Sequence, residues 1–261
     1  MIDPTLEILA LLALAAFLAG FIDSIAGGGA LITVPALLLA GFAPVEALGT
    51  NKLQGVFGAT SATIAYAAKG HVDLRRQLPA AAVACAGGVA GALLATVLPG
   101  DILRILMPFL LIAIALYFAL KPSMGDVDRA ERLSPAVFAM TAVPAIGFYD
   151  GVFGPGTGSF YMLAFVVLAG YGVLKATAHT KLLNVSSNLG GLGAFAFAGV
   201  VSWKVGLVMG AAQFAGARLG AHLAMKKGAR LIKPLLVVTC IALAVRLLAD
   251  PKNPIHAWLV G

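Results

Sequence analysis

Charge is scarce in this chain. Asp, Glu, Lys and Arg make up 11% of its 261 residues, where a soluble globular domain carries about 25%. With 61% hydrophobic residues and a mean hydropathy of +0.98, water is excluded as the main solvent. No polar stretch rivals the apolar runs in length, so no separate soluble domain is expected. Cysteine is nearly absent. Cys85 and Cys240 each sit inside an apolar segment, which excludes a disulfide framework and gives no metal-ligand spacing. There is no Walker motif. The run Gly154-Pro155-Gly156-Thr157-Gly158 is a weak nucleotide fingerprint, because no strand and no βαβ unit surround it. No cofactor and no metal are expected.

What is present is a series of apolar runs, most of them long enough to cross about 30 Å of hydrocarbon. They cover Leu6–Ala26, a short Leu31–Phe42, Val45–Ala68, Leu78–Leu98 and Ile102–Leu120. A polar loop, Lys121–Ser134, follows. The pattern then restarts with Ala136–Phe153, a short Ser159–Ala169, Val173–Gly199, Trp203–Met225 and Leu231–Ala249. Leu6–Ala26 is preceded by Asp3 and contains Glu7, with no basic flank, so it reads as a span and not as a cleaved signal peptide.

The restart is an internal repeat. Gly20 to Gly29 (GFIDSIAGGG) matches Gly147 to Gly156 (GFYDGVFGPG). After a two-residue insertion Lys52 falls on Lys181, Gly87 and Gly91 fall on Gly216 and Gly220, and Arg104 falls on Lys233. The expected fold class is an all-α polytopic membrane protein of two inverted repeats. Each would have a glycine-broken first helix, a short half-helix and three spanning helices. Residues 1–120 form the first repeat, 121–134 a cytoplasmic linker and 135–261 the second repeat.

Basic residues decide between parallel and inverted halves. If the chain turns back at the glycines, one side holds Lys69, Arg75, Arg76, Lys121, Arg129, Arg132, Lys175, Lys226, Lys227, Arg230 and Lys233. The other holds Arg104, Lys204 and Lys252. The parallel arrangement gives almost no bias. The positive-inside rule therefore favours inversion, with basic loops in the cytoplasm and both termini outside. The net charge of +7 is thus a topology signal, and nucleic acid is not an expected partner.

Asp23 and Asp150 occupy equivalent places, each four residues before a glycine break. Either they couple to an ion, or they cap free N–H groups of the following half-helix. Each glycine break starts a half-helix, whose N–H groups and dipole can hold an anion. That makes Gly28, Gly29, Gly156, Thr157 and Gly158 candidate ligands, with a tight turn as the bland alternative. Lys52 and Lys181 would supply positive charge, or else snorkel toward headgroups. Thr177, Lys181, Asn184 and Asn188 share one helical face, with His179 and Ser187 nearby, while the mates of the two asparagines are Gly55 and Ala59. A site built here leans on the second half. Thr50, Asn51 and Gln54 add polarity from the first. The two GxxxG pairs read as helix packing motifs. Arg218 could pair with an aspartate or the substrate, or snorkel. His71, His222 and His256 have no ligand spacing.

These motifs, with Thr50 to Gln54 (TNKLQ), GFYDGVFGPGTGSF and ATAHTKLLNVSSNLGG, resemble the TauE/SafE sulfite-exporter family of membrane proteins over about Leu6 to Leu248. The resemblance implies movement of sulfur-containing anions, such as sulfite or an organosulfonate, across a bacterial inner membrane. The expected function is a secondary transporter or facilitator for a small anion, and not an enzyme. The expected partners are that anion and the lipid bilayer, with a homo-oligomer left open. Competing readings are a non-transporting membrane scaffold or assembly factor, and an intramembrane aspartyl protease using Asp23 and Asp150 as a dyad.

Overall fold

The computed structural model describes residues 4–97 and 125–249, with positions 109, 112, 113, 116, 119 and 120 between them. The expected Ile102–Leu120 span, with Arg104, falls for the most part outside the described residues. So do Lys121, Lys252, His256 and the side chain of Cys240. All regular structure among the described residues is helical. The first half gives α1 (Leu6–Ala26), α2 (Ala30–Leu39), α3 (Pro44–Ala67) and α4 (Leu74–Ala95). The second gives α5 (Pro135–Met140), α6 (Ala142–Val152), α7 (Thr157–Val167), α8 (Val173–Phe197), α9 (Trp203–Lys227) and α10 (Ala229–Leu248).

The breaks fall where the glycines are. Gly27 and Gly28 end α1 with φ of +81° and +96°, and Gly154 and Gly156 follow α6 with +84° and +85°. L side chains resist that region and glycine does not. The expected continuous helix over Ala136–Phe153 is instead interrupted at Thr141 (φ −118°, ψ −71°). Pro144 explains this: it has no N–H for the carbonyl of Met140 and its ring crowds that carbonyl. At the start of α4 a cap, and not hydropathy, sets the end. Asp73 accepts from Arg76 N at 3.2 Å and starts α4 at Leu74, so Arg75 and Arg76 lie inside the helix.

Among the described residues, three stretches are long and apolar enough to cross a membrane: Leu6–Ala26, Leu74–Ala95 and Pro135–Val152. The helices α3, α8 and α9 have 24, 25 and 25 residues, about 36 Å each at 1.5 Å per residue. They are long enough but more polar, and their polar side chains point inward. Lys52, Lys181, Asn51, Gln54, Asn184 and Gln213 are buried, while Leu6, Leu11, Leu14, Leu78, Leu93, Leu207 and Leu219 are exposed. This inside-out pattern is what a hydrocarbon solvent selects.

Equivalent helices exchange partners between the halves. The α4 glycines pack on α6: a Cβ at Gly87 would lie 2.6 Å from the carbonyl of Pro144, and one at Gly91 would strike that of Phe148. The α9 glycines pack on α1, where Gly216 and Gly220 face the carbonyls of Phe17 and Phe21. These are backbone-to-backbone approaches of the small-xxx-small kind. Between them lie α3 and α8. Gly49 meets Phe195, Lys52 meets Gly191, and Gly55 meets Asn188, so these two helices run antiparallel.

One end of the bundle gathers the loop at Gly70–Asp73, the linker from Gly125, the start of α8 and the α9–α10 junction. His71, Asp73, Lys175 and His179 border one hollow there. Asp126 ties two helix starts together, accepting from Leu174 N and Ala229 N at 3.0 Å each.

Candidate functional site where two broken helices meet

The two breaks touch. A Cβ on Gly158 would lie 2.8 Å from Gly27 Cα, and Ser159 Oγ donates to the carbonyl of Ala26 at 3.1 Å. Beside this contact is a small cavity of about 30 Å³, room for a water or two. Gly28, Gly29 and Ala30 bring the N-terminus of α2 to it, and Thr157 and Gly158 bring that of α7. Asp23, Asp150, Asn51, Asn184, Asn188 and Gln213 supply its polar side chains.

Two ion pairs cross between the halves. Lys52 Nζ lies 2.8 Å from Asp150 Oδ1, and Lys181 Nζ lies 3.3 Å from Asp23 Oδ2. Each ammonium also donates to the backbone carbonyl of its aspartate. Those carbonyls stand in the last turns of α1 and α6, at the negative end of each helix dipole; that of Asp23 also accepts from Gly27 N at 2.9 Å. One lysine thus neutralises a carboxylate and caps a broken helix together. Both lysines are at most 1% exposed, so neither snorkels. They stand behind their aspartates and do not line the cavity themselves.

The aspartates also hold the following half-helices. Asp23 Oδ1 accepts from Gly29 N at 3.0 Å, and Asp150 Oδ1 accepts from Thr157 Oγ1 at 2.9 Å. Ion pairing and capping therefore occur in the same residues. Each carboxylate pairs with a lysine of the other half, and no hydrogen bond joins the two among the described residues.

Asn184 and Asn188 reach the cavity from α8, as their common face requires. Asn188 Nδ2 donates to Asn184 O at 2.7 Å. Across from them, Gly55 and Ala59 give space, and a Cβ at Gly55 would lie 2.9 Å from Asn188 Oδ1. Asn51 Oδ1 accepts from Thr33 Oγ1 at 2.7 Å and Gln54 Nε2 at 2.9 Å, tying α2 to α3. Gly156 stands apart from the cavity wall as the left-handed N-cap of α7. Arg218 is exposed on the outer face of α9, and its carbonyl contacts His222 Nδ1. Sequence reasoning missed Gln213, for which a lone Gln in the apolar run of α9 was the available signal.

A family model described as Sulfite exporter TauE/SafE matches residues 12–247. The chain belongs to the TauE/SafE sulfite exporter family. It is 65% identical over 257 residues to a Sinorhizobium protein named "Probable membrane transporter protein ORF9", covering 98% of each chain. It is 48% identical over 260 residues to the Escherichia coli K12 "Probable membrane transporter protein YfcA", covering 99% of this chain and 96% of that one. A Haemophilus influenzae protein named "Probable membrane transporter protein" is 44% identical over 248 residues, covering 95% and 97%. No solved structure matches.

Proposed function

We propose that this TauE/SafE member is a secondary transporter or facilitator for a small anion, a sulfur-containing oxyanion such as sulfite or an organosulfonate, in a bacterial inner membrane. One observation carries the reading. Two half-helix N-termini converge on one polar cavity buried among lipid-facing helices. Helix N-termini present N–H donors and positive dipole ends to an anion. Discontinuous helices meeting near the midplane are a recurring transporter site. Asn51, Asn184, Asn188 and Gln213 add amide donors. Lys52 and Lys181, placed behind the carboxylates, offset their negative charge so that an oxyanion can enter.

The exchange of partners between the halves, and the antiparallel run of α3 and α8, support an inverted repeat. The shared end of the Gly70–Asp73 loop, the linker and the α9–α10 junction supports a common cytoplasmic face. The Gly27–Gly158 contact closes the site between the halves, and passage requires it to part. Alternating opening of the two halves is the motion this geometry suits.

The test is flux in proteoliposomes of purified protein, offered sulfite, sulfate, thiosulfate and small sulfonates in turn. Saturable flux of at least one sulfur anion, competed by the others and absent from empty liposomes, is expected. No flux of any of them, with the protein folded and inserted, would sink the reading. Cysteine labelling at positions 69 and 227 tests the topology, with both expected on one side.

A further inference from the structure

The two crossed ion pairs leave one atom over. Asp23 has both carboxylate oxygens engaged, Oδ1 by Gly29 N and Oδ2 by Lys181. Asp150 has Oδ1 doubly engaged, by Lys52 and Thr157, while Oδ2 is buried without a partner among the described residues. Asp150 is only 2% exposed and lines the cavity. A buried carboxylate oxygen without a donor is costly. Asn184 Oδ1 and Gln213 Oε1 border the same cavity and are also unpartnered. An amide can turn its NH2 inward, but a carboxylate oxygen has no donor to turn, so Asp150 decides the matter.

We infer that Asp150 Oδ2 is a proton-binding site, and that its proton travels with the transported anion. The inference rests on the anion-transport reading above. A hydrogen ion suits the atom better than a metal cation. The site already holds the Lys52 ammonium at 2.8 Å, a like charge that a metal cation would have to face.

The titratable groups around Asp150 are few. Lys52 comes from α3, Tyr161 from α7, and Tyr149 precedes Asp150 on α6; Asp23 of α1 and Lys181 of α8 stand across the cavity. Beside Asp150, α4 presents Gly88, Gly91 and Ala92, and α5 (PAVFAM) has no titratable side chain.

The step is simple. A proton from water in the opened cavity adds to Oδ2 and makes the carboxyl neutral. Lys52 keeps its hydrogen bond to the Asp150 backbone carbonyl, and the pair gains one positive charge. An anion then binds more tightly, and by linkage its presence holds the proton. Both leave together when the cavity opens to the other side. Asp23, with no oxygen to spare, stays a fixed strut.

Infrared difference spectroscopy of purified protein between mildly acidic and mildly alkaline buffer tests this directly. A protonated-carboxyl C=O band should appear on acidification. It should vanish in Asp150→Asn, shift in Asp150→Glu and persist in Asp23→Asn. Binding of thiosulfate and of methanesulfonate, both fully ionised in this range, is measured alongside. In the wild type one linked proton strengthens affinity by up to about tenfold per pH unit, and Asp150→Asn should be flat. If Asp150→Asn does not fold, the band shift in Asp150→Glu still assigns the site. A band absent from the wild type, or one that follows Asp23, overturns the inference, even where anion binding is normal. A band that follows Asp150 while neither anion binds at any pH supports the proton site and sinks the anion reading instead.

Discussion

Lys52–Asp150 and Lys181–Asp23 stand at equivalent places in the two halves, yet their surroundings differ. The first pair is dry: both side chains are at most 2% exposed, and the contact is 2.8 Å. The second is looser at 3.3 Å, and Asp23 is 16% exposed. The capping bonds differ as well. Asp23 holds a backbone N–H, whereas Asp150 holds the side chain of Thr157. A duplicated motif has thus diverged in burial and in the capping residue, with Thr157 standing where the first half has Ala30. The same Asp and Lys serve as a strut in one half and keep a spare oxygen in the other.

Breaking the dry pair should have the largest effect. Lys52→Gln leaves the Asp150 charge buried without its counter-ion, and loss of one partner of a buried pair costs about 3–5 kcal/mol. Thermal unfolding in detergent should fall sharply, and the yield of folded protein with it. The double variant Lys52→Gln/Asp150→Asn should recover most of that loss, because no charge is then stranded. A single variant as stable as the wild type would mean that water reaches the pair.

The looser pair should show the opposite balance, with less lost in stability and more in transport. In Lys181→Gln, Asp23 keeps the Gly29 N–H and some contact with solvent. The negative charge it brings to the cavity, however, is no longer offset. At an effective dielectric near 20 that is a few kcal/mol against an anion, or about a hundredfold in flux. Arg76→Gln serves as the control, since its side chain is 90% exposed. Wild-type flux in a well-expressed Lys181→Gln would show that the offset plays no part in binding.

The contact between the breaks should be intermediate. Gly158→Ala puts a Cβ 2.8 Å from Gly27 Cα, and overpacking of this kind costs about 1–3 kcal/mol. Gly193→Ala is the contrast, because nothing lies within 4 Å of the added carbon. In a helix interior it should be neutral or stabilise by up to about 1 kcal/mol. Equal effects of the two substitutions on unfolding temperature would show that the breaks do not meet tightly.

Much of this was legible in the sequence, for physical reasons. In hydrocarbon a span is mostly apolar, so most helices appear where the runs are, and Leu6–Ala26 agrees at both ends. Glycine is the residue that tolerates positive φ, so the breaks at Gly27 and Gly154 were visible as well. The interruption at Thr141 was missed because apolarity continues through it, although Pro144 carried the signal. The asparagine face of α8 was readable from helical spacing. That each lysine would reach the aspartate of the other half was not. Sequence placed two acids and two bases in one interior, but their pairing depends on how the halves cross. Gln213 was hidden for a related reason. It belongs to α9, which packs on α1 and α3 through glycines, and only that packing carries its side chain to the cavity.

The smallest expected effect lies outside the membrane, where charge pairing meets water. Asp128 in the linker accepts from Gly172 N at 2.8 Å and pairs with Lys175 at 2.5 Å. Burial pushes this carboxyl up, but the Gly172 N–H and the Lys175 ammonium pull it down further, and the net shift is below the usual carboxylate range. A carboxylate depressed on folding contributes stability above its unfolded value of about 3.9, and loses it as pH falls through the folded one. Asp128 is 50% exposed and Lys175 41%, so solvent screens the pair and the contribution stays under about 1 kcal/mol. Asp128→Asn should therefore lower the unfolding temperature slightly at neutral pH, and the gap to the wild type should close in strong acid. High salt should shrink it too, which it would not do for the dry Lys52–Asp150 pair. A gap that widens on acidification would mean that Asp128 acts through something other than its charge.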